Sequence, residues 1–243
     1  MSGPVSGVLD IQVSGRCWTF TLNRPEKLNA LNAELVEALL QGVHQADTEG
    51  ARLLVFRGAG KGFCAGFDLS DLEAQSEGDL VLRFIRIEQL LQAVASSPAY
   101  TVALAHGKVF GAGVDLFAVC RRRVAAADSM FRMPGLKFGL VLGTRRFADL
   151  VGSQKALEIL GASRPFSTDE ALRMGFVQQV LAQEDWAGAV QECEALSAEL
   201  EDEARASLYR ALDAVQADTD LAHLVRSAAQ PGLKERLRKY LGQ

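Results

Sequence analysis

Residues 62–69 read GFCAGFDL and residues 106–115 read HGKVFGAGVD, and these two stretches decide the fold. Each follows a short apolar run that is typical of a buried strand, and we expect each to lead into a helix. Small residues at a strand-to-helix turn allow backbone N–H groups to point into open space. Two such turns side by side would hold a negative charge that develops on an oxygen between two amide donors. The alternative is that these glycines only permit tight turns.

Outward from these stretches, strands and helices alternate along the chain. Alternating apolar residues on both sides of Ser14-Gly15 predict an N-terminal hairpin, and Asn32 is the predicted N-cap of the helix that follows. Apolar residues at helical spacing predict a helix over 78–95 that ends at Ser97-Pro98. The apolar runs 53–56, 100–105, 124–127 and 130–132 predict strands, and a helix is expected over 112–120. This order of elements is typical of the α/β class.

The character of the sequence changes after about Trp186. Residues 187–217 and 219–241 are predicted to be helical, with a break at Gln230-Pro231-Gly232. We therefore interpret residues 1–186 as an α/β core that carries the site. Residues 187–243 are interpreted as a helical region packed on that core or on a neighbouring subunit.

Charge and composition restrict the partners. The net charge of −4 argues against nucleic acid, and the basic run 121–123 is interpreted as a solvated turn. No apolar run approaches the roughly 20 residues of a membrane-spanning helix, and residues 1–7 lack the pattern of a secretory signal. The four cysteines are scattered, which favours reduced thiols over a metal or disulfide site. We expect a soluble cytoplasmic protein with no metal, nucleic-acid or membrane partner.

Four segments together resemble one known family. They are NRPEKLNAL at 23–31, FCAGFDL at 63–69, GAGVD at 111–115 and EALRMGFV at 170–177. In this order they are similar to the crotonase superfamily, the enoyl-CoA hydratase/isomerase group. The resemblance implies a spiral of ββα units with a helical C-terminal region (187–243) that drives self-association as a trimer or a dimer of trimers. It also implies an acyl-CoA thioester as substrate, with coenzyme A bound only as part of that substrate and no other cofactor.

By position, the resemblance implies roles for particular residues. The backbone N–H groups of Phe67 and Ala112 would form an oxyanion hole for the enolate of the thioester. Asp68 is expected to be structural, capping the N–H of Asp71 or Leu72. Lys239 and Tyr240 fall where the family approaches a neighbour's ligand. Contacts to coenzyme A and substrate are expected from Arg24, Lys27, Leu28, Ala65, Gly66, Phe67, Asp68, Leu69 and Gly111.

Asp115 is the candidate catalytic acid–base residue. It lies where hydratases of the family carry one of two catalytic glutamates, and apolar neighbours would raise its pKa towards neutrality. The alternative is an ion pair with a nearby arginine, such as one of the run 121–123. The position of the second glutamate is Gly135, which has no carboxylate, and this absence favours double-bond isomerisation over hydration. We keep two further hypotheses: an acyl-CoA-binding protein without activity, and a thioester hydrolase or decarboxylase.

Two other polar residues bear on these hypotheses. Hydrolysis or decarboxylation would need His106 or Asp149 to face the pocket. The favoured interpretation of His106 is nevertheless a hydrogen-bonded histidine that supports the loop before the second glycine turn.

Overall fold

The computed structural model of the chain describes residues 7–212 and 216–242. Within these residues, the strands are β1 (Leu9–Ser14), β2 (Cys17–Leu22), β3 (Leu53–Gly58), β4 (Gly62–Cys64), β5 (Tyr100–Ala105), β6 (Lys108–Phe110), β7 (Arg122–Ala125), β8 (Met130–Arg132), β9 (Phe166–Ser167) and β10 (Gln179–Val180). The helices are α1 (Ala33–Thr48), α2 (Glu77–Ser96), α3 (Ala112–Ala118), α4 (Thr144–Val151), α5 (Ser153–Ala162), α6 (Thr168–Arg173), α7 (Trp186–Ala198), α8 (Asp202–Leu212), α9 (Ala217–Ala228) and α10 (Leu233–Leu241). The predicted α/β class is confirmed.

The strands divide between two sheets in a repeating way. One sheet has the order β1-β2-β3-β5-β7-β10, and the other has the order β4-β6-β8-β9. Three successive strand pairs, β3–β4, β5–β6 and β7–β8, each place one strand in the first sheet and the next in the second. Neighbouring strands from successive pairs run parallel. The chain therefore advances as a spiral of ββα units, as predicted.

Local signals predicted several of these elements correctly. The N-terminal hairpin forms as an antiparallel β1–β2 pair, and the side chain of Asn32 accepts a hydrogen bond from the N–H of Leu35, as an N-cap does. Helix α2 ends at Ser96, directly before Ser97-Pro98. These predictions are confirmed because each rests on interactions between residues that are near one another in sequence.

The first glycine stretch departs from the prediction, because no helix opens directly after it. Leu31 pairs with Phe67 in a β-bridge, in which the Leu31 N–H donates to the Gly66 carbonyl and the Asp68 N–H donates to the Leu31 carbonyl. This pairing keeps the backbone extended through Asp68. A short 3₁₀ turn at Leu72–Ala74 follows, and α2 begins only at Glu77.

The basic run 121–123 is not a solvated turn. Arg122 and Arg123 begin strand β7, and Arg123 is buried. Its guanidinium donates to the carbonyls of Phe176 (2.7 Å) and Cys120 (2.8 Å), so the charge is satisfied by backbone oxygens inside the fold.

The helical C-terminal region packs on the core of its own chain. Helix α7 lies against β3 and β5, whereas α9 and α10 pack on α2 and on the 3₁₀ helix Gly135–Phe138. The expected break at Gln230-Pro231-Gly232 is present between α9 and α10. The boundary between residues 186 and 187 stays a prediction.

The predicted helix over 187–217 is wrong as a single element, because α7 ends at Ala198 and α8 begins at Asp202. The buried Arg205 donates to the carbonyls of Ser197 and Leu200, which compensates for the bonds that a continuous helix would make there. Residues 213–215 of that predicted helix, and residues 1–6 of the N-terminal segment assessed for a signal, lie outside the described residues. In the described part of the chain, no helix is long and apolar enough to cross a membrane.

Candidate active site

The two glycine turns are in direct backbone contact. A Cβ atom added to Gly66, whose φ is +88°, would lie 2.6 Å from the Phe110 carbonyl oxygen and 3.2 Å from the Ala112 nitrogen. A Cβ added to Gly113 would lie 2.5 Å from the Cys64 carbonyl oxygen. Glycine is therefore required at both positions, and the prediction that the two turns lie side by side is confirmed.

Phe67 and Ala112 line one cavity, and their backbone N–H groups have no backbone acceptor among the described residues. Around the first turn, the N–H of Gly66 donates to Cys64 Sγ and that of Asp68 to the Leu31 carbonyl. Neither the Phe67 N–H nor that of Ala112, the first residue of α3, has a backbone acceptor within residues 7–212 and 216–242. Both residues line a cavity of about 150 Å³. This arrangement is compatible with two donors on one oxygen atom.

The Phe67 side chain holds its own peptide in place. Its ring stacks on Phe84 with centroids 4.2 Å apart, and the guanidinium carbon of Arg83 lies 4.0 Å from the same ring centroid. Arg83 also donates to the carbonyls of Leu31 (3.2 Å) and Asp68 (2.9 Å). Helix α2 thus holds the Phe67 ring, the next residue Asp68 and the bridge partner Leu31, which the sequence did not indicate.

Asp115 lies on α3 with only 3% of its surface exposed, and it lines the same cavity. Its Oδ1 atom is buried and has no hydrogen-bond partner within the described residues. Burial raises the pKa of this carboxyl well above its ordinary value; the nearby Arg146 opposes the shift and Glu88 adds to it. Among the described residues, Arg146 is thus the arginine that acts on Asp115, and the example of an ion pair with the run 121–123 is wrong.

The loop before α4 closes over Asp115. Gly143 has a φ of +63°, and a Cβ atom added to it would lie 1.8 Å from Asp115 Oδ1. On α4 itself, Arg146 makes a two-pronged ion pair with the buried Glu88 at 2.7 and 3.0 Å. Because Glu88 neutralises Arg146, the arginine offsets only part of the cost of ionising Asp115.

The wall of the cavity is mostly apolar. Gly135 lines it and supplies no carboxylate, and Leu140 and Leu142 extend the apolar lining. Among the lining residues that the structure describes, the polar or charged side chains are those of Asp115, Arg132, Thr144 and Tyr240. Neither Arg132 nor Thr144 could be predicted from the sequence, because their position at the cavity depends on strand pairing and on the fold of the loop before α4.

The predicted substrate contacts divide into two groups. Ala65, Phe67, Leu69 and Gly111 line the cavity, and Gly66 lies directly against the Ala112 amide. The other predicted contacts, namely Arg24, Lys27, Leu28 and Asp68, are not among the lining residues.

Arg24 and Asp68 form a buried ion pair of 2.8 Å. The expected cap at Asp71 or Leu72 is wrong: Asp68 accepts instead from the backbone N–H of Ser70, and the Leu72 N–H donates to the Leu69 carbonyl. Burial opposes ionisation of Asp68, but the bonds from Ser70 and Arg24 hold its pKa below the ordinary value.

The histidine and aspartate that a hydrolase would need lie elsewhere. His106 is buried against Trp186, and its Nε2 is 2.9 Å from the Gly60 carbonyl oxygen, which is the expected supporting role. Asp149 pairs with Arg145 and lines a different cavity. No group of three metal-ligating side chains occurs in the part of the chain that is described.

Tyr240 lines the cavity of its own chain and packs on Phe138 with ring centroids 5.1 Å apart. The expected approach of Lys239 and Tyr240 to a neighbour's ligand stays a prediction. Lys239, on the same helix, is exposed.

Comparison with known proteins places these features in a family. The enoyl-CoA hydratase/isomerase family model matches residues 14–237. The crystal structure of a candidate enoyl-CoA hydratase/isomerase from Bordetella parapertussis is 57% identical and superposes with a TM-score of 0.97, covering 98% of this chain and 100% of that one.

Two curated relatives match more distantly. A protein of Mycobacterium bovis named a probable enoyl-CoA hydratase is 37% identical over 166 residues, which is 67% of this chain and 66% of the relative. The ethylmalonyl-CoA decarboxylase of mouse is 31% identical over 181 residues, which is 72% of this chain and 56% of the relative. The matched segments thus span less than two thirds of the length of these two proteins.

Proposed function

Because the chain belongs to the enoyl-CoA hydratase/isomerase family, we propose that it acts on an acyl-CoA thioester by stabilising an enolate between the amides of Phe67 and Ala112. The observation that carries this proposal is the contact between the two glycine turns, which leaves both amides without backbone acceptors at one cavity. Removal of one such donor typically costs roughly 2.7–4 kcal/mol of transition-state stabilisation.

Asp115 is the proposed base. It lines the same cavity as Phe67 and Ala112. Burial raises the pKa of its carboxyl, so the ionised carboxylate is a stronger base towards the α-proton of a bound thioester. In its ionised form it would accept the α-proton of a 3-enoyl thioester as the enolate forms. It would then return the proton to the γ-carbon, which moves the double bond into conjugation with the carbonyl.

We infer that isomerisation is favoured over hydration. The addition of water calls for a second carboxylate to position and activate the water, and the position implied for it is Gly135. The adjoining wall is formed by Leu140 and Leu142, so the described lining offers no replacement carboxylate. A single buried base is sufficient to move a proton between two carbons of one substrate.

We propose the substrate contacts from the family resemblance and from the residues that line the cavity. Ala65, Gly66, Leu69 and Gly111 would contact the thioester end, with the exposed Lys27 and the neighbouring Leu28 further out along coenzyme A. Arg24 and Asp68 would act indirectly, because their ion pair is buried within the loop.

The test is a panel of acyl-CoA esters followed by mass spectrometry and ultraviolet absorbance. We expect a 3-enoyl-CoA to be converted at unchanged mass into a conjugated product. Addition of water or hydrolysis as the main reaction would contradict this assignment. Calorimetric binding of every ester without any conversion would instead establish the alternative of a binding protein.

Decarboxylation is the second candidate function. It is supported by the name of the mouse relative and by the geometry, since loss of carbon dioxide from a malonyl-type thioester also forms an enolate and needs no second carboxylate. Release of carbon dioxide from such an ester in the same panel, faster than isomerisation of any 3-enoyl-CoA, would favour it. His106 and Asp149 would have no direct part, since neither lines the cavity.

We also propose a cytoplasmic location and self-association as a trimer or a dimer of trimers. The four cysteines are free and buried, which supports a reducing compartment. A sedimentation mass of three or six times 26.2 kDa would support the assembly, and a single chain mass would contradict it.

A further inference from the structure

We propose that Arg132 binds a carboxylate carried by the acyl group, so that the preferred substrates are thioesters of dicarboxylic acids. The inference rests on the proposed function in one respect, namely that the cavity holds an acyl-CoA. It goes beyond that function because nothing in the reaction itself requires a cation at this position.

Arg132 is held at the cavity by the second sheet. It is the last residue of β8 and pairs with Phe110 of β6, so the two residues share one face of the sheet, and both line the cavity. The Arg132 carbonyl accepts a hydrogen bond of 2.8 Å from the N–H of Gly111, the residue before the proposed donor Ala112. One hydrogen bond therefore links the backbone of Arg132 to the second glycine turn, which contains the proposed donor Ala112.

The guanidinium of Arg132 is anchored but not neutralised. Its Nε donates to the carbonyl of Ser163 at 3.2 Å, which fixes one edge of the group. Its two terminal nitrogens have no hydrogen bond, and the side chain has no ion pair, within residues 7–212 and 216–242. Arginine presents paired N–H donors in a geometry that matches a carboxylate.

The surroundings favour an anionic ligand group. Of the residues that line the cavity, Arg132 is the only arginine or lysine within the described chain, and Asp115 is the only acid. The wall around Arg132 is largely apolar, which strengthens the electrostatic attraction between its guanidinium and a carboxylate on the bound substrate.

Proximity favours the acyl group over the phosphates of coenzyme A as the source of that anion. Arg132 is adjacent to the turn that would hold the thioester carbonyl, whereas the whole pantetheine arm separates the thioester from the phosphates. An arginine side chain is much shorter than that arm. The ligand group therefore belongs to the first carbons of the acyl chain.

The test compares thioesters that differ only in a terminal carboxylate. The full chain is titrated by calorimetry with monocarboxylic and dicarboxylic acyl-CoA esters of equal length, for example propionyl-CoA with malonyl-CoA and pentanoyl-CoA with glutaryl-CoA. At the best-fitting length, we expect the dicarboxylic ester to bind about tenfold more tightly or better. Arg132→Met should abolish this preference and leave the affinity for the monocarboxylic ester within about twofold.

Lys108→Met is the matched control, because Lys108 is exposed on the same face of β6 but does not line the cavity. It removes the same charge from this surface and should keep the preference. If Arg132→Met weakens both series and free coenzyme A equally, Arg132 contacts the coenzyme and the proposal is wrong. It is equally wrong if the unaltered protein shows no preference at any length.

The two proposals fail in distinguishable ways. Lack of binding by every acyl-CoA would overturn the proposed function and this inference together. Isomerisation of a 3-enoyl-CoA without any carboxylate preference would overturn only the role of Arg132.

Discussion

Asp115 is deeply buried, and its Oδ1 atom has no hydrogen-bond partner among the described residues, an arrangement that is unfavourable for stability. Because burial raises its pKa in the folded protein, the folded state holds its proton over a pH range in which the unfolded chain has released it. Between these two pKa values the folded state therefore binds more protons, and the contribution of Asp115 to stability falls as pH rises. A carboxyl group whose pKa is strongly raised by burial is typical of a functional position.

Asp115→Asn should therefore stabilise the protein at neutral pH. The amide cannot ionise, so the variant avoids the cost of a buried charge, and the gain should shrink as pH falls towards the ordinary aspartate value of about 3.9. Thermal unfolding of both proteins between pH 4 and pH 8 measures this difference. Asp128→Asn, at an exposed position, should show no such pH-dependent gain. A variant that is less stable than the parent at every pH would contradict the account of Asp115.

Arg83 should affect turnover more than binding, because it contacts the Phe67 ring and the carbonyls beside the proposed donor. Arg83→Met keeps much of the side-chain volume but removes these contacts. We expect kcat for a 3-enoyl-CoA to fall about tenfold, with KM changed by less than about twofold. Arg86→Met, one turn away on α2, removes a surface pair with Glu37 and is the control. An effect on KM alone would contradict a positioning role.

At the scale of elements, a buried charge network joins the helices around the site. Glu88 of α2 is 1% exposed and pairs with Arg146 of α4, and Asp220 of α9 lies 3.4 Å from the same guanidinium. Arg145 extends the network through a second pair with Asp220 at 2.7 Å. Gly143, the residue directly before α4, lies against Asp115, so the network that holds α4 also holds the loop that covers the proposed base.

Breaking this network should be costly. Glu88→Gln leaves the Arg146 guanidinium without its main partner, and removal of one member of a buried pair typically costs about 3–5 kcal/mol of unfolding free energy. Chemical denaturation measures this loss, and Glu37→Gln, in an exposed pair, should lose less than about 1 kcal/mol. The double variant Glu88→Gln, Arg146→Met should recover part of the stability. A loss from Glu88→Gln no larger than that of the surface control would contradict a stabilising role for the network.

Elements fixed by local chemistry were predictable, whereas contacts between distant segments were not. The Asn32 cap, the hairpin at Ser14-Gly15 and the proline after α2 depend on neighbouring residues. The bridge between Leu31 and Phe67, which prevents a helix after the first glycine turn, joins residues far apart in the chain. The contact of Gly143 with Asp115 likewise arises only when α3 and α4 pack together.

At the scale of the whole molecule, the site is assembled from the core and the last helix of one chain. Helix α10 contributes Leu237 and Tyr240 to the cavity, and Arg238 holds this helix to Glu73 with two hydrogen bonds of 2.9 and 2.6 Å. The last helix therefore forms part of the wall of its own chain's cavity, which charge pattern and helix periodicity alone did not reveal. The residues of the proposed oxyanion hole, the proposed base and this helix all line one cavity.

The central claim is that these amides and the single base Asp115 isomerise a 3-enoyl-CoA. The most direct measurement is a chromatographic time course of 3-hexenoyl-CoA with the unaltered protein and with the Asp115→Asn and Asp128→Asn variants. We expect 2-hexenoyl-CoA as the product without a 3-hydroxyacyl-CoA, a loss of about a hundredfold or more in Asp115→Asn, and no loss in Asp128→Asn. Unchanged turnover in Asp115→Asn, or 3-hydroxyhexanoyl-CoA as the main product, would contradict the account.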